Sequence, residues 1–161
     1  MTDDTGVNTV AATLSEDQVR EQMAGMLEAF VRDVPRVTHA LVVSRDGLKL
    51  VDSGISRNRA DKWAATFGTL ASLCENIPGP HGDKGGLKLS MVEREDGLLF
   101  VSIAGSSVLF PSQPCDEDGK VDTVLAVVAE PTADAGTVGF EMGQLVDLFA
   151  PYMVAAVRSD G

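Results

Sequence analysis

Two stretches of the sequence repeat one pattern, in which an apolar run, a charged turn ending in Asp-Gly and a second apolar run follow one another. They are "VTHALVVSRDGLKLVD" (37–52) and "LKLSMVEREDGLLFVSIAG" (87–105). Asp-Gly suits the backbone of a tight β-hairpin turn, so each stretch predicts two antiparallel strands. Because hairpins need no crossover helix, the pattern favours an antiparallel sheet over a Rossmann-type parallel one.

Helical periodicity fills the segments around these hairpins. A capping box in "SEDQ" (15–18) predicts the start of a first helix, which Pro35 ends. Arg57–Ile77 carries apolar and small residues at helical spacing and predicts a second helix about 30 Å long. A third helix is predicted after "PTADAG" (131–136), with Arg158 near its C-terminus, where the helix dipole favours a cation. Its apolar face consists of Met142, Leu145, Val146, Phe149, Tyr152, Met153 and Ala156.

A fifth strand is predicted at "VDTVLAVVAE" (121–130), which is rich in β-branched residues. The order of elements is then αββαβββα, an α+β fold with a five-stranded antiparallel sheet and helices packed on its faces. How strands pair across the middle helix stays open. We expect a single domain over residues 15–158, a flexible tail at 1–14 and a short tail at 159–161, because 161 residues is close to one domain.

The charge balance restricts the possible partners. Acidic residues outnumber basic ones 24 to 13 and the formal charge is -11, so nucleic acid and anionic membrane surfaces are repelled. Cys74 and Cys115 lie far apart with no metal-ligand spacing, which fits a reducing cytosol. No signal peptide or run of about 20 apolar residues is present, so we expect a soluble cytoplasmic protein without direct membrane insertion.

Candidate chemical motifs favour structural interpretations. His39 and His81 have no second catalytic or ligating group at a recognisable spacing. "GPHGDKGG" (79–86) has the composition of a phosphate loop, but a predicted strand follows it and it lacks the Lys-Ser/Thr ending, so a connector is favoured. "DEDG" (116–119) lacks the alternating acidic positions of a calcium loop and indicates an acidic turn. We expect no enzyme, metal or cofactor, although a site dispersed in the sequence stays open.

The middle helix is unusual because it has small side chains on more than one side, while Trp63 and Phe67 fill another side. The small residues of interest are Ala64, Ala65, Gly68, Ala71 and Ser72. Such a helix is buried on more than one face, one against the sheet and another against a second copy of the chain. The alternative is that only loops of the same chain cover this second face of the helix. In the dimer, Gly68→Glu would place an unpaired charge in a close helix contact.

Three segments carry a family resemblance. They are "VPRVTHALVVSRDGLKLVDSG" (34–54), "ADKWAATFGTLASL" (60–73) and "TVGFEMGQLVDLFAPYM" (137–153). In this order the chain resembles the roadblock/dynein-light-chain family, and in particular the short roadblock proteins of actinobacterial operons. "GFEM" (139–142) stands where the family has "GYEM", and Trp63 where it usually has leucine.

The resemblance implies a particular arrangement of this fold. The middle helix would lie on one face of the sheet and the two terminal helices on the other. It also implies a homodimer formed through the middle helix and the third strand, which adds Leu87, Leu89 and Met91 to the expected interface. One departure is the connection at 109–120, which is longer than usual and carries Cys115.

The resemblance also implies function by contact. Roadblock proteins bind Ras-like small GTPases as platforms, activating partners or adaptors, and actinobacterial examples belong to four-gene modules with a Ras-like GTPase and a sensor-kinase-like membrane protein. Our first hypothesis is a non-enzymatic homodimeric regulator or effector platform. The second is a nucleotide-insensitive adaptor that holds such a complex at the membrane, to which a partner recruits it. A small-molecule sensor would need a concave apolar pocket, for which the sequence carries no signal.

The charged turn between the first two strands is expected to have a structural role only. Asp-Gly meets the backbone requirement, and Arg45 and Asp46 are expected to keep the tip of the hairpin in water. We expect none of Arg36, Arg45 and Arg94 to act as an arginine finger toward a GTPase.

Overall fold

The computed structural model describes residues 13–83 and 85–154. Its elements confirm the predicted order αββαβββα, with a short 3-10 turn after the last helix. They are α1 (Glu16–Asp33), β1 (Val37–Ser44), β2 (Lys49–Asp52), α2 (Arg57–Glu75), β3 (Ser90–Arg94), β4 (Gly97–Ser107), β5 (Val121–Ala129), α3 (Ala135–Leu148) and the 3-10 turn Ala150–Tyr152. The predicted tails lie outside the described residues, apart from Thr13 and Leu14, and Leu14 packs against the core.

The five strands form one antiparallel sheet in the order β2-β1-β5-β4-β3. The last strand in the chain is thus the central one. Val42 of β1 lies opposite Leu125, and Phe100 of β4 lies opposite Val127. The two hairpins therefore flank β5, and β2 and β3 are the two edges of the sheet.

Both faces of the sheet are covered by helices. Along β1, Ala40 and Val42 belong to the core under α1 and α3, whereas Leu41 and Val43 belong to the core under α2. All four are fully buried, which explains why this strand has an unbroken apolar run. Burying one valine or leucine side chain stabilises the fold by about 1.5–3 kcal/mol. The predicted arrangement, with one helix on one face and two terminal helices on the other, is confirmed.

The start of α1 shows the predicted capping box. Ser15 Oγ accepts a hydrogen bond from the Gln18 N–H at 3.1 Å, and Gln18 Oε1 accepts one from the Ser15 N–H at 2.8 Å. The apolar stripe of α1 then faces the sheet with Val19, Met23, Leu27 and Phe30. The reciprocal cap satisfies two backbone donors that the first helical turn would otherwise leave unpaired.

Two boundaries around the middle helix differ from the sequence prediction. The strand predicted to begin at Leu87 begins at Ser90, where pairing with β4 starts, and the Leu87 N–H donates to Glu75 Oε2 at 3.3 Å. Leu87 and Leu89 therefore lie in the connection before β3. The helix predicted to reach Ile77 ends at Glu75, since a residue before proline is disfavoured in helical backbone.

The last helix is also shorter than predicted. It ends at Leu148, and the chain continues in a 3-10 turn that contains Pro151. Proline lacks the N–H needed to continue the helix. Tyr152 and Met153 are nevertheless buried in the core, as their spacing indicates. The predicted positions of 156–158 on this helix lie outside the described residues.

Candidate functional site

The small residues of α2 do not share one environment. Ala64, Gly68 and Ala71 are buried, and the two alanines pack in the core between α2 and the sheet. Ala65 is exposed and Ser72 is half-buried. Of the five small residues predicted for a dimer interface, only Ala65 and Ser72 therefore reach the surface.

Gly68 packs against the hairpin turn between β1 and β2. A Cβ at this position would lie 2.9 Å from Gly47 Cα and 3.0 Å from the Ser44 carbonyl oxygen. Gly47 has a φ of +89°, as the Asp-Gly turn requires, and a Cβ there would lie 3.0 Å from Ala65 Cα. The sequence predicts that Gly68 is small so that a second copy of the chain can pack closely against α2. In the structure, the β1–β2 turn of the same chain occupies the space beside Gly68.

The outer face of α2 carries one large exposed apolar side chain beside two threonines. Leu73 is 61% exposed, and Thr69 and Thr66 lie one and two turns before it on the surface. The two threonine hydroxyls donate back to the helix, to the carbonyls of Lys62 at 3.0 Å and Ala65 at 2.9 Å. Because these bonds satisfy the hydroxyls, a protein packed on this face gains methyl contacts without leaving a threonine donor unpaired.

The residues predicted around the third strand lie on two sides of the sheet. Leu87 packs with the cluster under α2. Leu89 lies on the opposite side, because a Cβ built on Gly139 of α3 would lie 3.1 Å from its Cδ2. Met91 pairs with Phe100, which belongs to the core under α1 and α3, so both side chains share that side. Leu89 and Met91 are 44% and 46% exposed.

The edge strand β3 completes this region. It pairs with β4 on one side, and in the described chain its other side has no partner strand. The Cys74 thiol of α2 donates to Ser90 Oγ at 3.5 Å, which ties the start of β3 to the helix. We call Thr66, Thr69, Leu73 and the free edge of Ser90–Arg94 the α2 surface. Unpaired strand edges are ready templates for pairing with another chain.

A cleft of about 570 Å³ opens beside the N-terminal half of α2. His39 and Trp63 meet edge to face with ring centroids 5.0 Å apart, and the Arg59 guanidinium lies 5.7 Å from the centre of the Trp63 ring. Burial and the nearby Arg59 charge lower the pKa of His39. Leu99 and Val128 add apolar surface. The cleft is concave and partly apolar, a feature without a sequence signal because five separate elements line it.

Arg45 has a structural role that the sequence interpretation misses. Its side chain forms an ion pair with Glu75 at the end of α2 and lies 3.9 Å from an Asp122 carboxylate oxygen. Its backbone N–H also donates to the Asp122 carbonyl at 2.9 Å. The prediction that Arg45 only keeps the turn in water is therefore wrong, since it links the hairpin to α2 and β5. Asp46 is exposed, as expected.

The described residues contain no clustered ligand set. Within 13–83 and 85–154, no group of three or more His, Cys, Asp and Glu side chains is arranged to hold a metal ion. None of the helices in these ranges combines the length and apolar character needed to cross a membrane. The described residues form surfaces for contact: a helix face with an exposed leucine, an open strand edge and a partly apolar cleft.

Comparison with known proteins identifies the family. Residues 23–110 match the family model of the Roadblock/LC7 domain. The chain belongs to the Roadblock/LC7 family. A Roadblock/LC7 domain from Streptomyces avermitilis is 35% identical to it, with a TM-score of 0.66 over 79% of this chain and 93% of that chain. A second one from the same organism is 28% identical, with a TM-score of 0.57 over 79% and 97%.

A more distant relative supports the roadblock fold alone. The gliding protein MglB from Thermus thermophilus is 18% identical, with a TM-score of 0.62 over 82% of this chain and 88% of that chain. No protein of curated function matches the chain significantly. The family and its fold are therefore shown, and the partner of this roadblock chain follows only as a proposal.

The long connection of this roadblock chain, 109–120, is held to the terminal helices. Phe110 is fully buried in the core under α1 and α3. The Ser112 N–H donates to Glu16 Oε1 of α1 at 2.9 Å. Asp116 Oδ1 accepts two hydrogen bonds from backbone N–H groups of its own turn, at 2.9 and 2.8 Å. This geometry agrees with the acidic turn predicted from the sequence and leaves the α2 surface uncovered.

Proposed function

We propose that this roadblock chain forms a homodimer that regulates a Ras-like small GTPase, or serves as its effector platform, without catalysing a reaction itself. The features of the α2 surface are the observation that supports a dimer. It combines an exposed Leu73, satisfied threonine hydroxyls and an unpaired strand edge. A two-fold axis beside β3 would pair the two edge strands and bring the two α2 helices together.

The predicted interface residues take different roles in this dimer. Ala65 and Ser72 lie on the accessible part of α2, and Leu87 lies beside it. Leu89 and Met91 lie at the same sheet edge but on the other face, so a paired β3 would bring them near their copies under the sheet. The buried small residues of α2 act indirectly, by allowing the helix to sit close to the sheet.

The GTPase partner is supported by family resemblance. In the related actinobacterial modules, a Ras-like GTPase and a sensor-kinase-like membrane protein accompany the roadblock protein, and two of the solved relatives come from Streptomyces. Such a platform regulates the GTPase only if it binds one nucleotide state more tightly, because equal affinity for both states shifts nothing. The charge of -11 disfavours direct contact with an anionic membrane surface, so recruitment to a membrane would take place through a protein partner.

The test is binding of the purified protein to the Ras-like GTPase encoded beside it, loaded in parallel with GDP and with a non-hydrolysable GTP analogue. We expect the affinities to differ by about tenfold, which is about 1.4 kcal/mol. Light scattering of the same sample should give twice the chain mass of 16.9 kDa. Equal affinity for both forms would contradict a regulator and assign a nucleotide-insensitive adaptor instead.

A further inference from the structure

A second apolar surface lies on the opposite side of the sheet from α2. A groove of about 250 Å³ runs between the C-terminal halves of α1 and α3. Met26 and Phe30 of α1 form one wall, and Leu145 and Leu148 of α3 form the other. We call this feature the α1–α3 groove. A furrow between two adjacent helices matches the ridge of side chains on a third helix.

Two large apolar side chains of α3 are exposed, Leu148 in the lining of the groove and Phe140 outside that lining. Phe140 is 64% exposed and Leu148 is 59% exposed. They are eight residues apart on α3, so they lie on neighbouring sides of the helix about 12 Å apart along its axis. Exposed apolar surface of this kind, rimmed by polar residues, marks interaction sites on soluble proteins.

The ionisable side chains that line the groove are acidic. Glu141 is a lining residue, and within the described chain it forms no ion pair. Asp33, the other one, pairs with Arg32 at 2.9 Å on the surface, an exposed contact that solvent screens. The α3 helix contains no lysine or arginine. The rim therefore attracts cationic groups and repels anionic ones.

We infer that the α1–α3 groove binds an amphipathic helix of a partner protein that carries lysine or arginine beside its apolar face. The helix would place apolar side chains against Met26 and Leu148, which reach solvent in the groove, and basic side chains near Glu141. A second copy of this chain fits poorly, because a two-fold contact would bring each acidic rim against its equal. The inference does not rest on the proposed dimer, since the groove and the α2 surface lie on opposite faces of the sheet.

The probe is a display library of helical peptides with leucine at positions i, i+4 and i+7 and random residues elsewhere, sorted for binding to the full chain. Sorting is repeated on Leu148→Glu, on Glu141→Lys and on Val108→Glu, a matched control at an exposed apolar residue outside the groove. Thermal melting shows that each variant is folded. Affinities of single enriched peptides are then measured by fluorescence anisotropy at low and high salt.

We expect enriched peptides to carry lysine and arginine beside the leucines and to bind more weakly as salt rises. Leu148→Glu should weaken binding at least tenfold, Val108→Glu should not, and Glu141→Lys should remove the preference for basic residues. Absence of enrichment, enrichment of acidic or uncharged peptides, or binding that is unaffected by Leu148→Glu would overturn the inference. A change in oligomeric mass with Leu148→Glu would assign the groove to a second copy and overturn it as well.

Discussion

The two helical layers present leucines of almost equal exposure, Leu73 on α2 at 61% and Leu148 on α3 at 59%. Their surroundings differ. Threonines with internally satisfied hydroxyls lie beside Leu73, whereas the acidic Glu141 lies beside Leu148. A surface without a dominant charge can meet its own copy across a two-fold axis, but an acidic one needs a basic partner. The different surroundings therefore indicate different occupants on the two layers, although the two leucines are almost equally exposed.

The strongest test of this difference exchanges the two leucines for glutamate separately. Leu73→Glu would bury an unpaired charge at the proposed dimer contact, which costs several kcal/mol, or on the order of 100-fold or more in the dimer dissociation constant. Leu148→Glu should leave the dimer intact. Light scattering at micromolar concentration measures both masses. A dimer that survives Leu73→Glu would show that the two copies meet elsewhere.

The second comparison concerns a glycine in each layer. Gly68→Ala should destabilise the fold by about 1–3 kcal/mol, because its Cβ would meet the backbone of Gly47 at 2.9 Å. Gly143→Ala on α3 meets nothing within 4 Å and should stabilise the fold by about 0.5–1 kcal/mol through helix propensity. Urea unfolding of the two variants measures both changes. Equal effects would contradict the close approach of α2 to the turn.

A third comparison uses two buried serines of β4. In the described chain, Ser102 Oγ is buried without a hydrogen-bond partner, so Ser102→Ala should stabilise the fold by about 1 kcal/mol. Ser107 Oγ donates to the Tyr152 carbonyl at 2.7 Å, so Ser107→Ala should destabilise it by about 1–3 kcal/mol. Chemical denaturation of the two variants measures whether each free energy of unfolding rises or falls. A loss of stability in Ser102→Ala would mean that its hydroxyl has a partner, such as water.

The smallest expected effect is a pH dependence on the α2 side. Folding lowers the pKa of His39 through burial and the charge of Arg59, so the folded state favours neutral imidazole. The stability from His39 is present above the unfolded pKa, about 6.5, and is lost as pH falls below it. In thermal melts, His39→Gln should therefore lose less stability than the parent chain as the pH falls from 7 to 5. If stability changes with pH in the His39→Gln variant as it does in the parent chain, His39 is not the source of that pH dependence. The helices of the opposite layer, α1 and α3, contain no histidine.

Local signals made most of the fold predictable from sequence. The capping box at Ser15 and the Asp46-Gly47 turn depend on neighbouring residues, and the structure contains both features. The second hairpin is also present, but the prediction that Asp96-Gly97 forms its turn is wrong: the chain turns at Glu95–Asp96, and Gly97 already pairs with Arg94 in β4. The reason for Gly68 depends on a turn 21 positions earlier in the chain, and Arg45 contacts two distant carboxylates. Such contacts leave no periodic pattern in the sequence.

The side of the sheet on which a strand residue lies was harder to predict. Leu89 and Met91 alternate with Ser90, and a shift of one residue in the pairing with β4 would exchange their faces. The register, with Met91 opposite Phe100, places both leucine and methionine under the terminal helices. The cleft at His39 and the α1–α3 groove were unpredictable for a related reason, since each is assembled from elements far apart in the chain.

The central position of β5 has a consequence for synthesis. The hairpins β1–β2 and β3–β4 do not pair with each other, because β5 lies between them. While the chain emerges from the ribosome, the sheet cannot close until Val121–Ala129 is available, and until then β1 and β4 both expose apolar unpaired edges. Pairings across so many residues fold slowly. A chain that stops before Val121 would contain every residue of both hairpins and yet remain prone to aggregation.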